Sequence, residues 1–270
     1  MFGNLFLSST ILYIQTNVYL FLLFVLQLVR DAIKKKKNVE TKSSVVDLVT
    51  ESDKAVEKLL ITGLSGVFPD HKFIGEESVA AGENCVLTDE PTWIIDPIDG
   101  TMNFVHSFPY TCISVALWVN KDAEVGIVYN PVLEQMFTAV KGQGAFLNDE
   151  KISASGQTGE CCNKVAFRDP EKVDTVLTNL TTLITKVHGC RTMGSAALHM
   201  AHVAWGVADA NYTLGIHCWD IAAGYLLVKE AGGVVVDTAG TYSITGIYSL
   251  CVDILFSLIY SNFIYSIFIA

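Results

Sequence analysis

Two carboxylates three residues apart, Asp96 and Asp99, stand in the run Trp93-Ile-Ile-Asp-Pro-Ile-Asp-Gly-Thr-Met-Asn103. The apolar residues Trp93 to Ile95 read as a strand that delivers them into a turn set by Pro97 and Gly100. Proline fixes φ and glycine permits a tight backbone path, so Asp96, the Ile98 carbonyl and Asp99 can converge on one point. Oxygen-only ligation of that kind suits Mg²⁺ rather than zinc or copper. An Asx-type structural turn would also account for Pro97 and Gly100, but not for the apolar strand ahead of them. Two further acids stand at the ends of elements. Glu76 follows Gly75 at the end of a short strand, and Asp220 falls in the first turn of a helix beginning at Trp219. The helix dipole alone would favour a carboxylate there by about 0.3–1 kcal/mol.

Three segments carry a resemblance: Gly75-Glu76-Glu77-Ser78, Asp96-Pro-Ile-Asp-Gly-Thr-Met-Asn-Phe104, and Trp219-Asp220-Ile-Ala-Ala-Gly224. In this order and spacing they resemble the signature of the inositol monophosphatases, within the Mg²⁺-dependent, lithium-sensitive phosphatases. The resemblance runs from about Val39 to Gly240. It implies hydrolysis of myo-inositol monophosphate to myo-inositol and phosphate, returning inositol for phosphatidylinositol signalling. The runs Asn103-Phe-Val-His-Ser-Phe-Pro109 and Gly215-Ile-His-Cys-Trp-Asp220 favour that branch over a sugar-phosphate or bisphosphate-nucleotide phosphatase.

The resemblance also implies roles. Glu76, Asp96, Ile98, Asp99 and Asp220 would ligate two or three Mg²⁺ ions, with Asp96 bridging two ions about 4 Å apart. Glu76, Thr101 and Asp53 would be catalytic, Glu76 and Thr101 orienting the attacking water. Asp53 and Lys42 match positions that support a third metal. The phosphate would rest on the backbone N–H groups of Gly100 and Thr101, where a helical turn starts. Gly194, Ser195, Ala196 and Asp220 would contact the substrate's ring, with His217 beside it. His199 and His202 belong to no motif and read as packing or surface residues.

Two departures stand out. Inositol-specific members carry a glutamate seven residues before the helix aspartate, where this chain has Thr213. Losing one charge-assisted hydrogen bond costs about 1.5–3 kcal/mol. The stretch 153–168 is also shorter than expected and predicts the loss of most of a core strand. An inactive, membrane-tethered paralogue is the reading these departures and the apolar ends would favour.

The elements that must position the site follow from periodicity. Val56, Leu59, Leu60, Leu64 and Val67 predict a helix ended by Pro69-Asp70, and His71 to Ile74 a strand. Strands follow at Cys112 to Val119, Glu124 to Tyr129, Gln135 to Val140 and Ala145 to Leu147, with turns at Asn120-Lys-Asp and Gly142-Gln-Gly144. Asp169-Pro170 opens a helix with Val173, Val176, Leu177, Leu180 and Ile184 inward. Helices from Gly194 to Ala204 and from Trp219 to Ala231, then a strand at Val234 to Val236, complete the series. Mixed order with several hairpins predicts an α/β (α+β) layered sandwich of helix pairs and sheets.

Composition bounds the rest. The 270 residues suffice for a large core, and a net charge of -10 argues against a nucleic-acid partner. Seven scattered cysteines favour reduced thiols and a cytoplasmic protein over a disulfide framework. The sequons at Asn179 and Asn211 would matter only in a secreted chain. No charged residue precedes Arg30, and Asp253 is the only one after Asp237. The division expected is therefore a hydrophobic segment 1–37 with a basic flank, a catalytic domain 38–240, and a divergent hydrophobic tail 241–270. Ile11 to Val29 is just long enough to span a bilayer, and Lys34 to Lys37 would then keep the catalytic part cytoplasmic. Leu28 to Ile33 alternatively resembles the final turns of the family's first helix, and the family is commonly homodimeric.

Overall fold

A computed structural model describes residues 28–35, 39–41, 48–156, 162–167, 173–185, 187–237 and 252–258. Residues 28–33 are helical. They are followed by β1 (Val39–Thr41), β2 (Leu48–Thr50), α1 (Glu51–Val67), β3 (Lys72–Gly75), α2 (Glu76–Ala80) and β4 (Thr92–Asp99). Next come α3 (Thr101–Val105), β5 (Cys112–Val119), β6 (Asp122–Asn130), β7 (Gln135–Val140), β8 (Gly144–Leu147) and β9 (Glu150–Ile152). The second half holds β10 (Cys162–Phe167), α4 (Val173–Ile184), β11 (Gly189–Arg191), α5 (Ala196–Ala204) and β12 (Ala210–Ile216). It ends with α6 (Cys218–Glu230), β13 (Val234–Asp237) and β14 (Val252–Leu258).

The layering follows from β4, every residue of which is buried. Successive strand side chains point to opposite faces, so a continuous apolar run needs a cover on both sides. Ile94 packs with Ala116, Phe137, Leu198, Met200 and Ile221 on one face. Trp93 and Ile95 pack with Val29, Ile33, Val56, Leu60 and Leu64 on the other. The seven-stranded sheet β3-β4-β5-β6-β7-β8-β9 thus lies between the helix pair 28–33/α1 and the pair α5/α6. The far side of α5 and α6 meets a five-stranded sheet, β11-β10-β12-β14-β13, on which α4 rests. Helices held between two sheets must be apolar all round, and eight of the nine α5 residues are buried. The layered α/β sandwich expected from the sequence is the fold observed.

Several local expectations change. The strand at Trp93 continues through Asp99 rather than yielding to a turn at Pro97, and its pairing with β5 shifts register between Asp96 and Asp99. A bulge tolerates proline because the unpaired residue needs no ladder N–H. The shortened stretch 153–168 does not cost a core strand: β10 pairs parallel with β11 on one side and β12 on the other. Leu177 and Ile184 of α4 are exposed, not inward. That helix presents Asn179 and Leu180 to the protein instead, and the Asn179 amide donates to the Tyr212 hydroxyl at 2.6 Å. Asn211, in the other sequon, is buried.

The apolar ends divide. Val29 and Ile33 are core residues of the first helix pair, and residues 11–27 lie outside the described residues. In the tail, Val252–Leu258 is a strand hydrogen-bonded to β12 and β13, so its backbone groups are satisfied by neighbours. The rest of 241–270 lies outside the described residues, as do Lys42, Asp169 and Pro170. Among the described residues no helix is long and apolar enough to cross a membrane.

The seat of α6 on the sheet is unusually close. A Cβ on Gly126 of β6 would stand 2.7 Å from the Ala223 carbonyl oxygen, and one on Gly224 would stand 2.7 Å from Met200 Cβ. At Gly126, backbone therefore touches backbone, with no side chain able to yield. Gly126→Ala is expected to destabilise the fold by about 1–3 kcal/mol through overpacking, read from urea unfolding midpoints at unchanged slope.

Candidate active site

Asp96, Asp99 and Asp220 come from β4 and α6, distant in sequence, yet each offers a carboxylate oxygen within 4.8 Å of the others'. All three are buried, with exposures of 1%, 4% and 2%. The bulge in β4 turns Asp96 and Asp99 to the same side. Asp96 Oδ1 accepts the Ile98 N–H at 3.1 Å, the Asx-type contact that the motif's proline makes room for. Asp220 is the third residue of α6, and its Oδ2 accepts the N–H of the N-cap residue His217 at 2.6 Å. The capping and ligand readings of Asp220 are thus compatible, since a carboxylate has two oxygens and several lone pairs to offer. The His217 ring stacks on Trp219 with centroids 4.7 Å apart.

Asp99 is held by several donors. Its Oδ2 accepts the Ser195 hydroxyl at 2.6 Å and the Ala197 N–H at 2.7 Å, while Oδ1 accepts the Ala196 N–H at 3.3 Å. Ser195 and Ala196, expected beside the substrate's ring, here orient a carboxylate at the start of α5. Asn103 joins the two loops, its amide donating to the Tyr110 and Met193 carbonyls at 2.7 Å each. Gly100 makes this approach possible. Its φ is 87°, and a Cβ would stand 3.0 Å from the Gly194 carbonyl oxygen. Gly194 itself has φ 77° and packs against the Asn103 amide.

Thr101 opens α3 and is buried. Its hydroxyl lies 3.2 Å from the Ile98 carbonyl and 3.4 Å from Asp53 Oδ1. Asp53 closes a capping box on α1, its Oδ2 accepting the Thr50 N–H at 2.9 Å. One oxygen of Asp53 therefore anchors a helix while the other faces Thr101. Glu76 is buried at the first position of α2, but stands outside the mutual cluster of the three aspartates. His199 accepts the Met193 N–H at 3.3 Å and His202 bonds the Tyr110 hydroxyl at 3.1 Å, so both are packing residues. Crowded acidity leaves its mark nearby: burial, reinforced by the charge of Asp99, pushes the Cys112 thiol well above its usual range.

Sequence reasoning missed Glu57. Its carboxylate accepts the Glu77 N–H at 2.7 Å, the Ser78 N–H at 2.8 Å and the Ser78 hydroxyl at 2.6 Å. It thus fixes the first turn of the helix that presents Glu76. Gly75 has to be glycine beside it, since a Cβ there would collide with the Glu57 carboxylate. The signal was present: Asp53, Glu57, Leu60 and Leu64 form one buried stripe of α1. A charge on an apolar stripe needs a partner. Burial pushes the Glu57 carboxyl up, while Ser78 and the two backbone donors pull it back. Glu57→Gln replaces an acceptor by an N–H₂ group and leaves a backbone donor unmet. It should cost about 1–3 kcal/mol in chemical denaturation and weaken divalent-cation binding by isothermal titration, because Glu76 rides on the same turn.

The model of the Inositol monophosphatase family matches residues 16–260. Inositol monophosphatase 1 of Bos taurus is 50% identical over 220 residues, 79% of this chain and 79% of its own length. That of Homo sapiens is 51% identical over the same share of each chain. Among solved structures, the Thermotoga maritima IMPase superposes with a TM-score of 0.79 at 32% identity, covering 90% of this chain and 91% of that one. A staphylococcal inositol monophosphatase-1 soaked in lithium chloride reaches a TM-score of 0.82 at 24% identity over 95% and 94%, a likeness of fold. With its family model spanning both sheets and half its aligned residues shared with such enzymes, the chain belongs to the inositol monophosphatase family.

Proposed function

We propose that this chain is a Mg²⁺-dependent phosphoric monoester hydrolase that converts myo-inositol monophosphate to myo-inositol and phosphate, serving inositol recycling for phosphatidylinositol signalling. The observation that carries this reading is the buried meeting of Asp96, Asp99 and Asp220 in a chain 50% identical over 220 residues to an inositol monophosphatase. Three carboxylates gathered this closely out of water suit a hard divalent cation, and every donor in the set is oxygen. Glu76, Asp96, the Ile98 carbonyl, Asp99 and Asp220 are the residues that would hold two or three such ions, Glu76 standing outside the cluster of the three aspartates. Bound Mg²⁺ would neutralise charge on the phosphoryl oxygens and lower the pKa of water.

The chain's own groups complete the assignment. Glu76, Thr101 and Asp53 are the catalytic residues of this reading. The Thr101 hydroxyl, between Asp53 and the Ile98 carbonyl, orients the attacking water, and Glu76 accepts its proton. Gly100 and Thr101 offer backbone N–H groups to the phosphate. Gly194, Ser195, Ala196 and Asp220 line the ring side, Ser195 and Ala196 chiefly by setting Asp99. The catalytic unit spans 38–240, to which the tail contributes β14. Segments 1–37 and 241–270 flank it, apart from helix 28–33 and β14, which pack into it. With Val29 of the run 11–29 in the core, residues 11–27 are the candidate for membrane attachment of a cytoplasmic enzyme. A homodimer is the assembly that the family resemblance favours.

Substrate preference turns on Thr213, which is buried and whose hydroxyl lies 3.3 Å from Asn211 Oδ1. A panel of phosphate monoesters should rank inositol 1-phosphate above any bisphosphate nucleotide. The reverse ranking would overturn the substrate assignment. Thr213→Glu restores the charge found in inositol-specific relatives and should raise kcat/KM for inositol 1-phosphate roughly 10- to 100-fold, the equivalent of one charge-assisted hydrogen bond. Asp96→Asn should reduce turnover to below a few per cent while its thermal melt stays near that of the parent. Substantial residual activity would count against cation binding at this cluster.

A further inference from the structure

Cys85 and Cys218 are 133 positions apart in the chain, yet their Sγ atoms stand 3.7 Å from each other. Both are free thiols. Cys218 is buried, with 1% exposure, and is the first residue of α6. Cys85 is half-buried in the loop after α2, where residues 81–84 and Val86 are exposed. The pair therefore has one cysteine partly open to solvent and one buried behind it.

We propose that Cys85 and Cys218 form a redox modification site at which a peroxide closes an intramolecular disulfide. Cys85 attacks the peroxide first. An S–O bond forms as the O–O bond breaks, giving a sulfenic acid and, for hydrogen peroxide, one water. The Cys218 sulfur then attacks the Cys85 sulfur. The S–S bond forms as the S–O bond breaks, and the hydroxyl leaves as water with the Cys218 thiol proton. Two thiols are oxidised, one peroxide is reduced, and two waters are released.

Geometry favours closure over further oxidation. The sulfurs must approach from 3.7 Å to about 2.05 Å. The exposed loop supplies the movement, and its Gly82 has φ 103° with nothing packed against it. The helix side need not move. The cross-link would fasten the loop behind the Glu76 helix to the start of the Asp220 helix.

The test uses the full-length reduced protein treated with graded hydrogen peroxide, then alkylated without reductant and mapped by peptide mass spectrometry. The expected result is loss of two alkylation sites together, a Cys85–Cys218 linked peptide two hydrogens lighter, and reversal by dithiothreitol. Cys85→Ser should abolish the linked peptide, leave Cys218 alkylatable and leave basal phosphatase activity unchanged. Accumulation of sulfinic acid at Cys85, or its pairing with another cysteine, would overturn the proposal, as would a melting temperature that falls on oxidation. The readout is mass, so its failure is distinct from any failure of the phosphatase assignment.

Discussion

Three buried carboxylates drawn to within 4.8 Å of one another set the terms for everything around them. At an effective dielectric of about 20, each such pair repels by roughly 3 kcal/mol when ionised. The protein offsets this with directed donors. Asp99 takes two backbone N–H groups and a hydroxyl from the start of α5, Asp220 takes the N–H of its own N-cap, and Asp96 takes that of Ile98. A divalent cation among the three oxygens would neutralise the same charge. Neutralising an anionic phosphoester beside a protein of net charge -10 needs the same cation.

The layered architecture serves this crowding. The sheet faces are covered on both sides, so water is excluded from the strand that delivers Asp96 and Asp99. The helix pair α5/α6 brings its two N-terminal ends to those carboxylates, one end supplying donors and the other supplying Asp220. On the opposite side, α1 sends Asp53 to Thr101 and Glu57 to the turn that carries Glu76. Elements far apart in the chain are thus required to agree at one place. Local sequence motifs name the residues, and tertiary packing makes them adjacent.

Legibility in the sequence follows the same division. Strands β5 and β7 were readable to the residue, because apolar content and turn chemistry agree: Asn120 and Lys121 adopt φ of 52° and 60°, the left-handed pair that a tight hairpin demands. The acidic motif was readable from residue type and spacing. The bulge in β4 was not, because register belongs to the partner strand as much as to Pro97. Neither β12 nor β14 was anticipated as a strand, since pairing between segments so far apart in the chain leaves no local trace. Leu177 and Ile184 misled because α4 lies at the outside of the sandwich, where polar contacts such as Asn179 to Tyr212 set its rotation. Glu57 escaped because a buried acid on a helix stripe looks like an ordinary surface charge until its donors are counted.

The backbone contact between Gly126 and Ala223 ties the chemistry to the global fold. Side-chain spacers can be traded for others of different length, but two main chains in contact fix the separation of helix and sheet outright. Asp220 sits less than one helical turn upstream of that contact, so the gap it spans to Asp96 and Asp99 inherits the rigidity of the sandwich. Heat should therefore disassemble the carboxylate cluster and the hydrophobic layers in a single cooperative step.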